Sequence, residues 1–192
     1  MIKKYCYFGG MLDLQEQWLN KMAANGYRLV RISKFSYTFE TCLPNSLEYK
    51  VEFIGNQSPE QVTTYLSNLE LNGYKLWKKN INLNYSLAKF RLRLWANKGA
   101  RFSTNKTTFN NELLIIEKNN DGKPFGSCIS NNSVIEYYTI LRNAWLQNCM
   151  LFSFLFIILF IQAPKNSLIV LAFILITGIP SLIYQLKISH HK

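Results

Sequence analysis

Nine lysines and arginines stand between Glu70 and Glu112 with no acidic residue among them: Lys75, Lys78, Lys79, Lys89, Arg91, Arg93, Lys98, Arg101 and Lys106. Such a block binds anions rather than making bonds; the ligands it suits are lipid headgroups, an acidic protein or nucleic-acid phosphates. Trp77, Tyr85, Phe90, Trp95 and Phe102 are interleaved with it, a pattern that invites nucleic acid. Phe90, however, alternates with Lys89, Arg91 and Arg93, so on a strand it faces the other way and belongs to a core. In order of weight, the block reads as an ordinary solvated sheet face, a surface for anionic lipid, and a surface for an acidic protein. Nucleic acid is the least favoured ligand.

Nothing else in the chain announces a reaction. No GxSxG, HExxH, Walker A or GxGxxG string occurs, and no cofactor is expected. His190 and His191 sit beside Lys192 and read as a solvated tail rather than a metal site. Asp13 and Glu16 have the spacing of a helix start rather than an acid–base pair. Cys6, Cys42, Cys128 and Cys149 form neither a CxxC pair nor a metal-ligand spacing, and Ser127-Cys128 has no base beside it. The cysteines read as reduced, mostly buried thiols. An enzyme is not expected.

The elements that must carry the basic block are a soluble domain and an anchor. Ala144–Ala163 and Ser167–Leu186 are apolar runs of the ~20 residues a helix needs to cross a ~30 Å hydrocarbon core. Neither contains Asp, Glu, Lys or Arg, and only Pro164, Lys165 and Asn166 separate them. Apolar all the way round, they predict a tight transmembrane hairpin rather than the core of a soluble protein. The net charge is +11, and all 11 acidic residues precede the hairpin. Arg142 before the first span and Lys187 after the second, against Lys165 in the turn, place both termini in the cytoplasm. Trp145 and Tyr184 complete the expected interface anchors with Arg142 and Lys187.

Before the hairpin the pattern alternates strands and helices. Lys3–Phe8 reads as a first strand. Asp13 and Glu16 resemble a capping box for a helix over 13–25, with Leu14, Trp18, Leu19, Met22 and Ala23 on its apolar face. Tyr27–Ser33 and Phe35–Glu40 read as strands, and Leu47, Tyr49, Val51 and Phe53 alternate with Glu48, Lys50 and Glu52. Ser58-Pro59-Glu60-Gln61 starts a second helix over 59–72, with Val62, Tyr65, Leu66 and Leu69 as its stripe. Asn25-Gly26-Tyr27 recurs as Asn72-Gly73-Tyr74, 47 residues on, with the flanking apolar positions aligned. Two strand–helix–strand units predict an α+β, ferredoxin-like domain with an antiparallel sheet. Further strands are expected at Leu76–Leu83, Ser86–Trp95 and Leu113–Glu117. A helix from Ser133 is expected to run unbroken into the first span. The resulting organisation is a cytosolic domain over 1–130, a juxtamembrane helix over 131–143, spans over 144–163 and 167–186, and a tail over 187–192.

The string Trp18-Leu19-Asn20-Lys21-Met22-Ala23-Ala24-Asn25-Gly26-Tyr27, with Tyr37-Thr38-Phe39-Glu40 and Tyr49, resembles bacterial domain-of-unknown-function family twenty-eight-twelve. The match covers roughly residues 1–80. The resemblance implies a Gram-positive, membrane-anchored protein often encoded beside PadR-type transcriptional repressors, and it carries no catalytic residues. Leu83–Asn110 departs from the pattern as an extension, and Ser127-Cys128-Ile129-Ser130 lacks the usual acids. The function expected is therefore a non-enzymatic membrane sensor, regulator or adaptor. Its partners would be the membrane and a protein, either a transcriptional regulator or a membrane complex. The alternative is an immunity or transporter-accessory protein whose hairpin binds a toxin, lipid or permease.

Overall fold

Asn-Gly ends two helices of 13 residues in the same way. In the computed structural model, α1 (Leu12–Ala24) is capped by Asn25 at φ −84°, and α2 (Pro59–Leu71) by Asn72 at φ −81°. Gly26 and Gly73 then both take φ 78°, a left-handed conformation that costs a side chain about 1–2 kcal/mol. The model describes residues 1–33, 35–55, 57–79, 85–87, 90–92, 102–103, 113–123, 125, 131–162 and 164–190.

The two helix starts differ. At α2, Ser58 Oγ accepts from the Gln61 amide at 3.3 Å and Gln61 Oε1 accepts from the Ser58 amide at 3.1 Å, closing the capping box that the spacing predicts. At α1 the box expected from Asp13 and Glu16 does not form. The helix begins earlier, with Met11 at the N-cap and no side-chain bond, and Asp13 lies in the first turn. Glu16 instead accepts the Val51 amide at 2.9 Å. A backbone donor from a distant strand has displaced the local partner.

The strands follow the repeat. β1 (Ile2–Tyr5), α1 and β2 (Tyr27–Ile32) enclose β3 (Ser36–Thr41), antiparallel to both, in the order β1-β3-β2. β4 (Leu47–Phe53), α2 and β5 (Lys75–Lys79) likewise enclose an antiparallel strand, here β9 (Leu113–Asn119), in the order β4-β9-β5. Each repeat is thus a split strand–helix–strand unit with its own three-stranded sheet, and the class is mixed α+β with antiparallel pairing. A third small sheet joins β6 (Tyr85–Leu87), β7 (Phe90–Leu92) and β8 (Phe102–Ser103). The rest of the predicted stretches 76–83 and 86–95 lies outside the described residues.

Aromatic packing ties α1 to its sheet. Trp18 meets Tyr37 at 5.0 Å and Phe39 at 5.5 Å, ring centre to ring centre. Leu19, Leu29, Tyr37 and Phe39 are fully buried, and burying each leucine contributes ~2 kcal/mol. The helix is rotated from the expected face. Leu14 is 45% exposed, while Leu12 and Gln15 are buried with Leu19, Met22 and Ala23. In β4 Glu52 is buried as well as the predicted Tyr49, Val51 and Phe53, because Tyr65 of α2 donates to its carboxylate at 2.5 Å.

The described residues form two compact units, and the second begins with α3. Helix α3 (Asn131–Gln162) runs 32 residues without a break, so the helix expected from Ser133 does continue into the first apolar run. At 1.5 Å per residue it is ~48 Å long. Pro164, predicted in the connecting turn, instead starts α4 (Pro164–His190), where a missing N–H costs nothing. The two helices are antiparallel partners. Tyr138 stacks on Tyr184 at 6.1 Å, Cys149 Sγ lies 3.8 Å from Ile174 O, and Phe152 stacks on Phe173 at 5.3 Å.

Candidate functional site

An edge strand exposes unpaired backbone groups, and the joint between the two repeats is built from side chains that cover such edges. Asn20 lies one turn after Glu16 on α1. Its amide donates to Tyr49 O at 2.9 Å and accepts from Tyr49 N at 2.7 Å, as a neighbouring strand would. Glu16 takes the next outward amide, Val51 N. Two side chains of α1 therefore close the free edge of β4. Burial raises the Glu16 pKa.

The free edge of β2 is closed from the opposite side. The Leu29 amide donates to Tyr49 Oη at 2.8 Å, and Tyr49 Oη donates to Glu117 at 2.6 Å. Glu117 also accepts Arg28 Nε at 2.9 Å and Arg28 Nη2 at 2.7 Å. Trp77 Nε1 reaches Val30 O at 3.3 Å. Burial, with the Glu117 carboxylate beside it, pushes the Tyr49 hydroxyl far above its ordinary range, so it stays a donor. The network holds backbone in place.

The described cations of the basic block do not form one surface. Lys75 and Lys78 are exposed on β5, three residues apart and so on opposite faces of the strand. Lys75 lies over the Trp77 ring, 5.1 Å from its centre. Lys79, expected on that surface, is buried: it contacts the Tyr37 hydroxyl and lies 4.1 Å over that ring. Burial lowers its pKa to about 8 and raises that of Tyr37. Arg91 lies in β7, and Lys89, Arg93, Lys98, Arg101 and Lys106 are outside the described residues.

An open cleft of about 480 Å³ lies where α1 meets the β4 and β9 ends, lined by Asn20, Asn45, Glu48, Asn120 and Lys123 among others. Its amides serve the fold. Asn20 grips Tyr49, and Asn120 donates to Asn45 O at 3.0 Å. No nucleophile beside a base lines it among the described residues.

Four residues were expected to anchor the hairpin. Arg142 donates to Gln185 at 2.7 Å across the helix pair, and Trp145 and Lys187 are half-buried. Tyr184 does not face outward as an anchor would: it is buried against Tyr138. Helices α3 and α4 are long and apolar enough to cross a membrane, with mean hydropathy 2.1 over an 18-residue stretch within Val134–Gln162 and within Leu168–His190.

The residues that organise the joint are Asn20, Arg28, Tyr49 and Glu117, none of which was a predicted site residue. Asn20 and Tyr49 do stand in the string that carries the family resemblance, which was the available signal.

Comparison with known proteins is consistent with this. No curated protein matches the chain, and no solved structure does. A family model described as "Protein of unknown function (DUF2812)" matches residues 11–150, a wider span than the string itself. Because that match runs from the start of α1 into α3 and covers well over half of the sequence, the chain belongs to the DUF2812 family.

Proposed function

We propose that this chain is a membrane-anchored, non-enzymatic regulator or adaptor: a cytosolic α+β unit carried on a two-span hairpin, with both termini in the cytoplasm. The observation that carries the reading is the outward apolar surface of the hairpin. Phe154 is 65% exposed, Ile161 77% and Leu168 69%, in helices that a soluble core would have covered. Lipid is the solvent that such side chains suit. The cations flanking the spans, Arg142 and Lys187, support the cytoplasmic orientation.

The commitments of the buried polar groups support a non-enzymatic role. Glu16 holds Val51, Glu52 holds Tyr65, Glu117 holds Arg28 and Tyr49, and Lys118 holds Asp121 at 2.9 Å. Groups tied to structural partners are poorly placed to exchange protons with a substrate. The partner of an adaptor is then a protein, with a transcriptional regulator or a membrane complex as the expected classes.

Full-length protein carrying a reporter after Lys192 tests the anchoring and orientation. It should remain in the membrane pellet after alkaline extraction, with the reporter active on the cytoplasmic side. Release into the supernatant would overturn the anchor, and a reporter active only outside would overturn the orientation. Purification in mild detergent from cells under several membrane stresses should recover a protein partner reproducibly; recovery of none would overturn the adaptor role.

A further inference from the structure

We propose that the aromatic corner of the first sheet, Tyr5, Tyr7 and Phe35 beside Lys3, docks on an anionic lipid surface. The proposal rests on the membrane reading above and adds to it a second, reversible contact made by the soluble unit itself.

The corner is contiguous. Cys6 N donates to Phe35 O at 3.0 Å, which brings the β1 end beside the β2–β3 turn. Tyr7 and Phe35 pack edge to face at 5.8 Å, and Lys3 Nζ lies 5.1 Å from the Tyr5 ring centre. The rings stay open to the outside all the same: Tyr5 is 74% exposed, Tyr7 55% and Phe35 47%. All four residues of β1 are exposed, and β1 pairs with β3 alone.

Rings with a polar tip beside a lysine are the composition of a bilayer interface, where the ring enters the headgroup layer and the ammonium meets lipid phosphate. Lys3 shares the Tyr5 face, whereas Lys4 pairs with Tyr37 on the face to which Trp18 of α1 packs. A second copy is disfavoured as occupant, since β1 against β1 would set Lys3 and Lys4 against the same cations. An anionic leaflet complements them.

The test uses the full chain in nanodiscs of phosphatidylcholine, alone or mixed with phosphatidylserine, with bromine on the acyl chains. Tyr5→Trp adds a reporter whose emission is read as the difference from the parent. Quenching of the added emission in the anionic discs, and its weakening with Lys3→Glu more than with Lys4→Glu on the other face, is the expected result. At about 1 kcal/mol per cation near the leaflet, removing Lys3 lowers the docked-to-undocked ratio by about 5-fold, and reversing its charge by more. No quenching in anionic discs, or quenching indifferent to the charge reversal, overturns the proposal. The membrane reading fails separately. The part of the parent's own quenching that Trp145→Phe removes reports Trp145 of α3 rather than Trp18, Trp77 or Trp95, and its absence would overturn the anchor rather than the docking.

Discussion

Replacing Tyr49 by Phe removes one oxygen and strands two buried partners. Tyr49 Oη accepts the Leu29 amide at 2.8 Å and donates to Glu117 at 2.6 Å, and Leu29, Tyr49 and Glu117 are all buried. The ring stays, so no cavity term arises. An unsatisfied buried N–H costs about 1–3 kcal/mol, and a hydrogen bond to a charged group contributes about 1.5–3 kcal/mol. Glu117 keeps Arg28 at 2.7 Å, which moderates the second loss. About 3 kcal/mol in all is the expected destabilisation, or roughly 9 °C in Tm at about 3 °C per kcal/mol for a unit of this size. Thermal unfolding of the full chain in detergent, followed by near-ultraviolet circular dichroism, measures it. Amide exchange at Leu29 should accelerate alongside. If Tyr49→Phe lowers Tm by less than about 2 °C and leaves Leu29 exchange unchanged, Tyr49 is not the clamp on the β2 edge.

Three other perturbations probe different terms. Gly26 and Gly73 share φ 78°, but a Cβ at Gly26 would come 3.0 Å from Cys42 O, whereas at Gly73 nothing lies within 4 Å. Gly73→Ala should therefore cost about 1–2 kcal/mol, the left-handed strain alone, and Gly26→Ala clearly more; equal losses in parallel melts would contradict the geometry. Lys79, lowered by burial to about 8 from 10.5, holds fewer protons folded than unfolded between those values, so stability should rise with pH across that window. Lys79→Met should flatten that part of the melting profile, and a slope unchanged in the variant would assign it elsewhere. Gln15 is 2% exposed and its Nε2 has no hydrogen-bond partner among the described residues. Gln15→Met should stabilise by about 1 kcal/mol, and a lower Tm would show that the amide is satisfied after all.

Much of the fold could be read from local pattern. The capping box at Ser58, the Asn-Gly helix ends and the unbroken helix from Asn131 to Gln162 are all set by neighbours within a turn or two. For the same reason the repeat was visible as a 47-residue offset, and its two copies recur as two split strand–helix–strand units. Where the reading failed, a long-range partner had intervened. Glu16 left its capping role for Val51, 35 residues away, and Lys79 turned inward to Tyr37, 42 residues away.

The family string acquires a physical meaning only in three dimensions. Trp18 packs on Tyr37 and Phe39, Asn20 grips the Tyr49 backbone, and Gly26 makes room for Cys42 O. Residue type and spacing by themselves determined the elements, the duplication, the apolar hairpin and the surplus of cations, because each depends on periodicity, caps or composition. Tertiary structure alone decided which cations share a face, which edges are closed and which aromatic rings stay outside. Those outcomes depend on pairing between strands such as β4 and β9, whose partners Phe53 and Leu113 are 60 residues apart in the chain, where register rather than local preference sets every contact.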